Sequence, residues 1–161
     1  RSLLHHLDAD SMRNRDDSGK LPIHVACQAN APVEVLSMLG EMDPATLQIA
    51  DHSGNLPLHE YCCGTVDFSS VLCLVEKGGV GTLAARNHQG ALPLHVLVAS
   101  TNPTLRTVQY LIQSFPAAVT ARTTNDGQYP FMIAAGASSS ASLSVVLEIV
   151  RANPHLIVPN E

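Results

Sequence analysis

Apolar residues recur along this chain in pairs of short runs, each two to three helical turns long. In the second run of each pair they return every three or four positions, which predicts a helix with one buried stripe. These second helices are predicted at residues 32–39, 68–75, 105–112 and 143–150. Asp67 precedes one of them as a predicted N-cap, and Thr104 or Asn102 precedes another.

The first run of each pair begins at a proline, at Pro22, Pro57, Pro93 and Pro130. Proline suits the first turn of a helix, because its missing N–H would have no partner there. Breaks in the apolar pattern near Asn30, Gly64, Ser100 and Gly136 end these first helices within two to three turns. Each pair therefore predicts a helix, a turn and a second helix.

A sequence motif surrounds each of these prolines. Gly-x-Leu-Pro-x-His begins at Gly19, Gly54 and Gly90, and a degraded form, Gly-Gln-Tyr-Pro-Phe-Met, begins at Gly127, so the spacings are 35, 36 and 37 residues. Periods of this length are typical of solenoids, in which a unit buries its apolar face only by stacking on its neighbour. The sequence therefore predicts an all-α, stacked array over residues 1–161.

The position of this motif also predicts the boundaries of the repeat units. Complete units are predicted at residues 16–50, 51–86 and 87–123, followed by a degraded, open-ended unit at 124–161. Residues 1–15 align with the tail of a preceding unit, because Leu4 and Met12 match Leu39 and Leu47 at an offset of 35. The chain is thus expected to begin inside a second helix, and the segment from Gly78 to Gly81 is expected to be a loose return loop.

The pattern Asp-x-x-Gly-x-Leu-Pro-Leu-His, followed by two antiparallel helices and a return loop, resembles the ankyrin repeat over essentially the whole chain. The resemblance implies an ankyrin solenoid of helix-turn-helix units joined by hairpin-like loops. These units are two to four residues longer than the usual period of about 33. The family's Thr before the proline is replaced here by Leu21, Leu56, Leu92 and Tyr129, so an apolar contact is expected in place of a hydroxyl cap.

Two sets of repeated residues have predicted structural roles. Gly19, Gly54, Gly90 and Gly127 are expected at turn positions with positive φ, which a side chain penalises. The resemblance implies that His24, His59 and His95 bridge neighbouring loops through their ring nitrogens. A metal ladder is not expected, because packed helices lie about 8–10 Å apart and zinc needs nitrogens at about 2.0–2.1 Å.

By register with the family, the partner-binding positions fall on the hairpin tips and first helices. They are Asp17, Ser18, Lys20, Gln28, His52, Ser53, Asn55, Cys63, His88, Gln89, Ala91, Ala99, Asn125, Asp126 and Gln128. The resemblance implies a non-catalytic scaffold or adaptor that binds a partner protein along this strip. Two alternatives stay open: a permanent structural subunit of a large assembly, marked by apolar Val25, Val96 and Ile133, and the regulatory or targeting segment of a larger protein.

Composition narrows the possible partners. Only 14% of residues are charged and the formal net charge is −5, which argues against nucleic acid as a partner. Residues 128–147 are uncharged but interrupted by serines, so no membrane insertion is expected. No phosphate-binding loop or nucleophile elbow occurs, and neither enzyme activity nor a cofactor or metal is predicted.

Four cysteines bear on the compartment. Cys27, Cys62, Cys63 and Cys73 form no C-x-x-C pair and are interpreted as reduced core thiols, with Cys63 the one open to exposure. Reduced thiols favour an intracellular location, the cytoplasm first, with the nucleus or an organelle interior left open.

Overall fold

The computed structural model describes residues 11–137 and 142–156, and all regular structure within these ranges is helical. The described α-helices are α1 (Pro22–Gln28), α2 (Val33–Met42), α3 (Pro57–Cys62), α4 (Phe68–Gly78), α5 (Gly81–Ala84), α6 (Pro93–Ala99), α7 (Leu105–Ser114), α8 (Pro130–Gly136) and α9 (Ser142–Ala152). Short 3₁₀ turns cover Ser11–Arg13, Pro44–Gln48, Pro116–Thr120 and Pro154–Leu156. The prediction of an all-helical chain is confirmed for these residues.

Every first helix begins at its predicted proline, and each second helix runs two to three residues past its predicted end. The added residues are largely polar, which is why apolar periodicity misses them. In α4 the added turn carries Lys77, whose Nζ donates a 2.8 Å hydrogen bond to Glu41 Oε1 on α2. The expected loose loop at residues 78–81 needs correction: Gly78 ends α4, and Gly81 begins the one-turn helix α5.

The α-helices form two layers that run along the chain. In the first layer α1 contacts α3, α3 contacts α6, and α6 contacts α8. In the second layer α2 contacts α4, α4 contacts α7, and α7 contacts α9. The two layers enclose one continuous core, whose fully buried side chains include Leu36, Leu58, Leu74, Leu94, Leu97, Leu111 and Ile149.

Hairpin-like turns precede the first helices and hold them at one edge of the stack. In the second unit Asp51 N–H donates to the carbonyl of Asn55 at 2.9 Å, which closes the turn. The Asp51 carboxylate accepts the backbone N–H groups of Ser53 and Asn55, each at 2.8 Å. Asp16 and Asn87 accept equivalent pairs of bonds, so a side-chain oxygen at this position folds each of the first three turns.

Neighbouring turns are joined by single backbone hydrogen bonds. His52 N–H donates to the carbonyl of Ser18 at 3.0 Å, and His88 N–H donates to that of Ser53 at 3.0 Å. Thr124 N–H continues the row by donating to the carbonyl of Gln89 at 2.9 Å. The turn tips therefore lie in register along the same edge.

The predicted N-caps have different outcomes. The Asp67 carboxylate accepts the Ser70 N–H at 3.1 Å, so this cap is confirmed. Thr104 occupies the cap position of α7, but its hydroxyl bonds to the Thr107 hydroxyl at 2.7 Å instead of to the backbone. A side-chain cap on α7 was therefore wrongly predicted.

The cysteines divide by environment. Cys27 and Cys62 are buried, and burial raises the pKa of both thiols, as expected of core residues. Cys73 is only half-buried and Cys63 is exposed, so the core interpretation holds fully for two of the four. All four are free thiols.

Two further expectations concern other parts of the chain. Among the described residues, no helix has the length and apolar character needed to cross a membrane. The predicted continuation of a second helix through residues 1–10, including Leu4, lies outside the described residues. Met12, which aligns with buried Leu47, is 3% exposed and contacts the apolar core.

Candidate partner-binding groove

A groove of about 740 Å³ runs along the turn tips and first helices of the last three units. Its lining residues are His52, Ser53, Asn55, Cys63, Asn87, His88, Gln89, Ala91, His95, Val96, Ala99, Thr123, Asn125, Asp126, Gln128 and Ile133. The lining residues come from the row of bonded turns and from the first helices α6 and α8, with Cys63 directly after α3.

The groove gathers eleven of the fifteen positions selected from the sequence as partner-binding. The remaining four belong to the first unit and lie outside it: Asp17, Ser18, Lys20 and Gln28. Ala91 lies in the groove but is only 7% exposed, so we do not keep its side chain as a contact. The exposed members of the set include His52, Ser53, Cys63, His88, Gln89, Ala99, Asn125, Asp126 and Gln128.

Three of the selected residues have partners inside the fold. Lys20 Nζ donates to Glu60 Oε2 at 2.9 Å and to Gln28 Oε1 at 2.9 Å. Asn55 Nδ2 donates to the other Glu60 oxygen at 2.9 Å, and Asn87 Nδ2 donates to Asn55 Oδ1 at 3.0 Å. This polar network spans three units, which makes Lys20, Gln28 and Asn55 parts of the unit interfaces.

Sequence reasoning missed Glu60 and Asn87 as members of the polar network. Glu60 is 9% exposed and pairs with Lys20, so its charge is compensated where the solvent is largely excluded. A sequence signal existed: position 60 aligns with Val25, Val96 and Ile133, and a lone Glu in an apolar register position requires a buried partner.

The three repeated histidines connect successive units. His59 Nδ1 accepts the N–H of Leu56 at 3.1 Å, and His59 Nε2 lies 3.2 Å from the carbonyl oxygen of Ala91 in the next unit. His24 makes the same pair of contacts, with the carbonyl of Asn55 as its distant partner. His95 Nε2 lies 3.1 Å from the carbonyl oxygen of Ala121, and the carbonyl of Gln128, the register equivalent of Ala91, also raises the pKa of His95.

These contacts fix the protonation state of the rings. Nδ1 must stay unprotonated to accept a backbone N–H, and Nε2 must carry the proton to donate to a carbonyl, so each imidazole is the neutral Nε2–H tautomer. Burial lowers the pKa of His24, His59 and His95, and this effect outweighs the raising effect of the backbone carbonyls. The same histidines also cap the first helices, because their Nδ1 atoms take the N–H of Leu21, Leu56 and Leu92.

The repeated glycines allow the turns to pack closely. Gly19, Gly54, Gly90 and Gly127 have φ of 75°, 78°, 72° and 62°, the backbone conformation for which the sequence selects them. A Cβ at Gly54 would lie 2.7 Å from the His88 ring and 2.8 Å from the His88 backbone nitrogen. At Gly127 no atom of the described residues beyond its two chain neighbours lies within 4 Å of such a Cβ, so backbone strain is what requires glycine there.

Two arginines reinforce the turns without having been selected from the sequence. Arg15 Nη1 donates to the carbonyls of Gly19 and Ala50, each at 3.0 Å. Arg86 Nη1 donates in the same way to Gly90 at 2.7 Å and to Arg122 at 2.9 Å. Their spacing by two units, just before the turn Asp or Asn, was the signal available in the sequence.

The free chemistry of the groove is hydrogen bonding. Apart from its histidines, Asp126 is its one ionisable carboxylate or basic side chain, and its other polar groups are amides and hydroxyls. Among the described residues, no three His, Cys, Asp or Glu side chains are grouped to hold a metal ion. The exposed amides and hydroxyls of the groove can therefore exchange hydrogen bonds with polar groups of a ligand.

Comparison of the chain with models of known protein families finds no match. A search of curated proteins also finds no match.

Proposed function

We propose that this chain is an ankyrin-repeat array that binds a partner protein along the groove of its turn tips and first helices. The observation that supports this is that eleven positions selected by register, between His52 and Gln128, line one groove. The second and third units contribute the same four register positions to it, and the fourth unit contributes three of them. A rigid stack offers such a surface without having to fold around its partner.

The proposed function has no chemical step. The exposed polar groups of the groove donate and accept hydrogen bonds, and their near-neutral character makes shape and hydrogen bonding set the affinity.

Gln89→Arg tests the proposal, with Gln113→Arg as the matched control. Gln89 is exposed on a turn tip inside the groove, whereas Gln113 is exposed on α7 outside it. We expect extracts of the source cells to yield proteins that bind the wild type and Gln113→Arg but are lost with Gln89→Arg. Equal capture by all three proteins, with unchanged circular dichroism, would refute the assignment.

The structural-subunit alternative is favoured by a different surface. Met132, Leu143 and Leu147, on the last two helices, are 46%, 69% and 48% exposed. Of the three residues selected as its marker, Val25 is 48% exposed, while Val96 and Ile133 are half-buried in the groove. Replacing Leu143 and Leu147 with Gln would dissociate a stoichiometric complex in gel filtration if this alternative holds.

A further inference from the structure

Several polar side chains of the groove have no hydrogen-bond or ion-pair partner among the described residues. Gln89, Asp126 and Gln128 are exposed, and among the described residues their side chains make no hydrogen bond or ion pair. All three line the groove. A side-chain amide both donates and accepts, so Gln89 and Gln128 match the N–H and C=O groups of a peptide backbone.

The charge distribution of the groove is one-sided. Glu60 lies nearby, but both its oxygens are taken by Lys20 and Asn55. Asp126 is thus the one lining carboxylate, with no lysine or arginine beside it in the lining. An uncompensated carboxylate at one end of a neutral groove is complementary to one cationic group.

The apolar part of the lining lies on α6 and α8, the first helices of the third and fourth units. Val96 and Ile133 occupy equivalent positions on α6 and α8 and are half-buried, and Ala99 is exposed beside them. These aliphatic side chains offer an apolar contact surface to an aliphatic group of a ligand.

The length of the groove sets the size of the occupant. Ser53, Gln89 and Asp126 occupy the same position in three successive turns, so they mark two unit spacings. Packed helices lie about 8–10 Å apart, which makes two spacings about 16–20 Å. An extended chain advances about 3.3 Å per residue, so about five or six residues cover this distance.

We propose that the groove binds an extended polypeptide segment of about six residues, with a Lys or Arg side chain against Asp126 and an aliphatic side chain over Val96 and Ile133. This inference rests on the proposed function and names the chemistry of the partner. The amides of Gln89 and Gln128 hydrogen-bond the backbone of the segment, and the turns need no rearrangement to receive it.

The test uses a displayed library of random 12-residue peptides, selected on the folded chain. The selected sequences are expected to share one basic residue at a fixed distance from one aliphatic residue. A synthetic peptide of that consensus is then titrated against the wild type, Asp126→Gln and Glu76→Gln by fluorescence anisotropy. Gln is tolerated at this turn position, since Gln89 occupies it in the preceding unit.

Asp126→Gln is expected to weaken the peptide about 5- to 10-fold, and exchanging the basic residue of the peptide for Gln removes the difference between wild type and variant. Glu76 is exposed on α4 outside the groove, so Glu76→Gln removes a charge of the same sign and is expected to change the affinity for the peptide less than twofold. An acidic or uncharged consensus, equal effects of both variants, or failure to select any peptide would overturn the inference. The proposed function fails separately, through the Gln89→Arg capture experiment.

Discussion

Replacing His59 with Ala removes a connection between the second and third units. The ring is 1% exposed and contacts the N–H of Leu56 and the carbonyl of Ala91. Without it both backbone groups stay buried and unpaired, and each such group costs about 1–3 kcal/mol. Because water can enter the space left by the ring and recover part of this, we expect a loss of about 2–4 kcal/mol in the free energy of unfolding.

Urea and thermal unfolding followed by circular dichroism measure this loss. For a chain of this size about 1 kcal/mol lowers Tm by about 2–4 °C, so the variant should melt about 5–15 °C below the wild type. Since the lost contact joins two units, the unfolding transition should also broaden. His155→Ala removes an exposed histidine and should change stability by less than about 0.5 kcal/mol. Equal stability of the two variants would refute the bridging role.

Three further predictions follow from the unit interfaces. Burial lowers the pKa of His24, His59 and His95, so the unfolded chain takes up protons before the folded chain does as pH falls. The free energy of unfolding should therefore be full above about pH 6.5 and decline below it by up to about 1.4 kcal/mol per pH unit for each histidine. A free energy of unfolding that stays constant from pH 7.5 to 5 in urea titrations would contradict this. Lys20→Ala leaves the buried carboxylate of Glu60 without its cation and should lower the free energy of unfolding by about 2–4 kcal/mol. Adding Glu60→Val, which copies Val96, should recover most of this loss, and a double variant no more stable than Lys20→Ala would show that the ion pair is not the cause. In thermal melts, Gly54→Ala should lower the free energy of unfolding by about 2–4 kcal/mol and Gly127→Ala by about 1 kcal/mol, because of these two sites the new Cβ would contact the backbone of a neighbouring turn at Gly54 alone. Equal losses would contradict the close approach of the turns.

The sequence predicted those features that depend on local chemistry repeated at a fixed period. The four first helices begin at Pro22, Pro57, Pro93 and Pro130, as predicted, because the first turn is the part of a helix that tolerates proline. Helix ends were less accurate, because the polar last turn of α4 is held by the contact between Lys77 and Glu41, two residues 36 positions apart. Such distant pairs leave no periodic signal.

The candidate groove was predictable only in outline. The repeat register identified most of the lining positions. It could not distinguish the free, exposed side chain of Gln89 from that of Asn55, which bonds to both Glu60 and Asn87. It also placed Lys20 on the binding strip, although Lys20 Nζ is committed to Gln28 and Glu60. Which polar residues remain free depends on side-chain pairing between units, and that pairing appears only when the units are stacked.

Amide hydrogen exchange of the chain with and without a captured partner tests the central claim most directly. If the partner occupies the groove, protection should rise at residues 52–55, 87–91 and 124–128, on the turn tips, and stay unchanged along α4 and α7. Protection confined to α4, α7 and α9, with the turn tips exchanging as in the free chain, would contradict the account and place the partner on the second-helix layer.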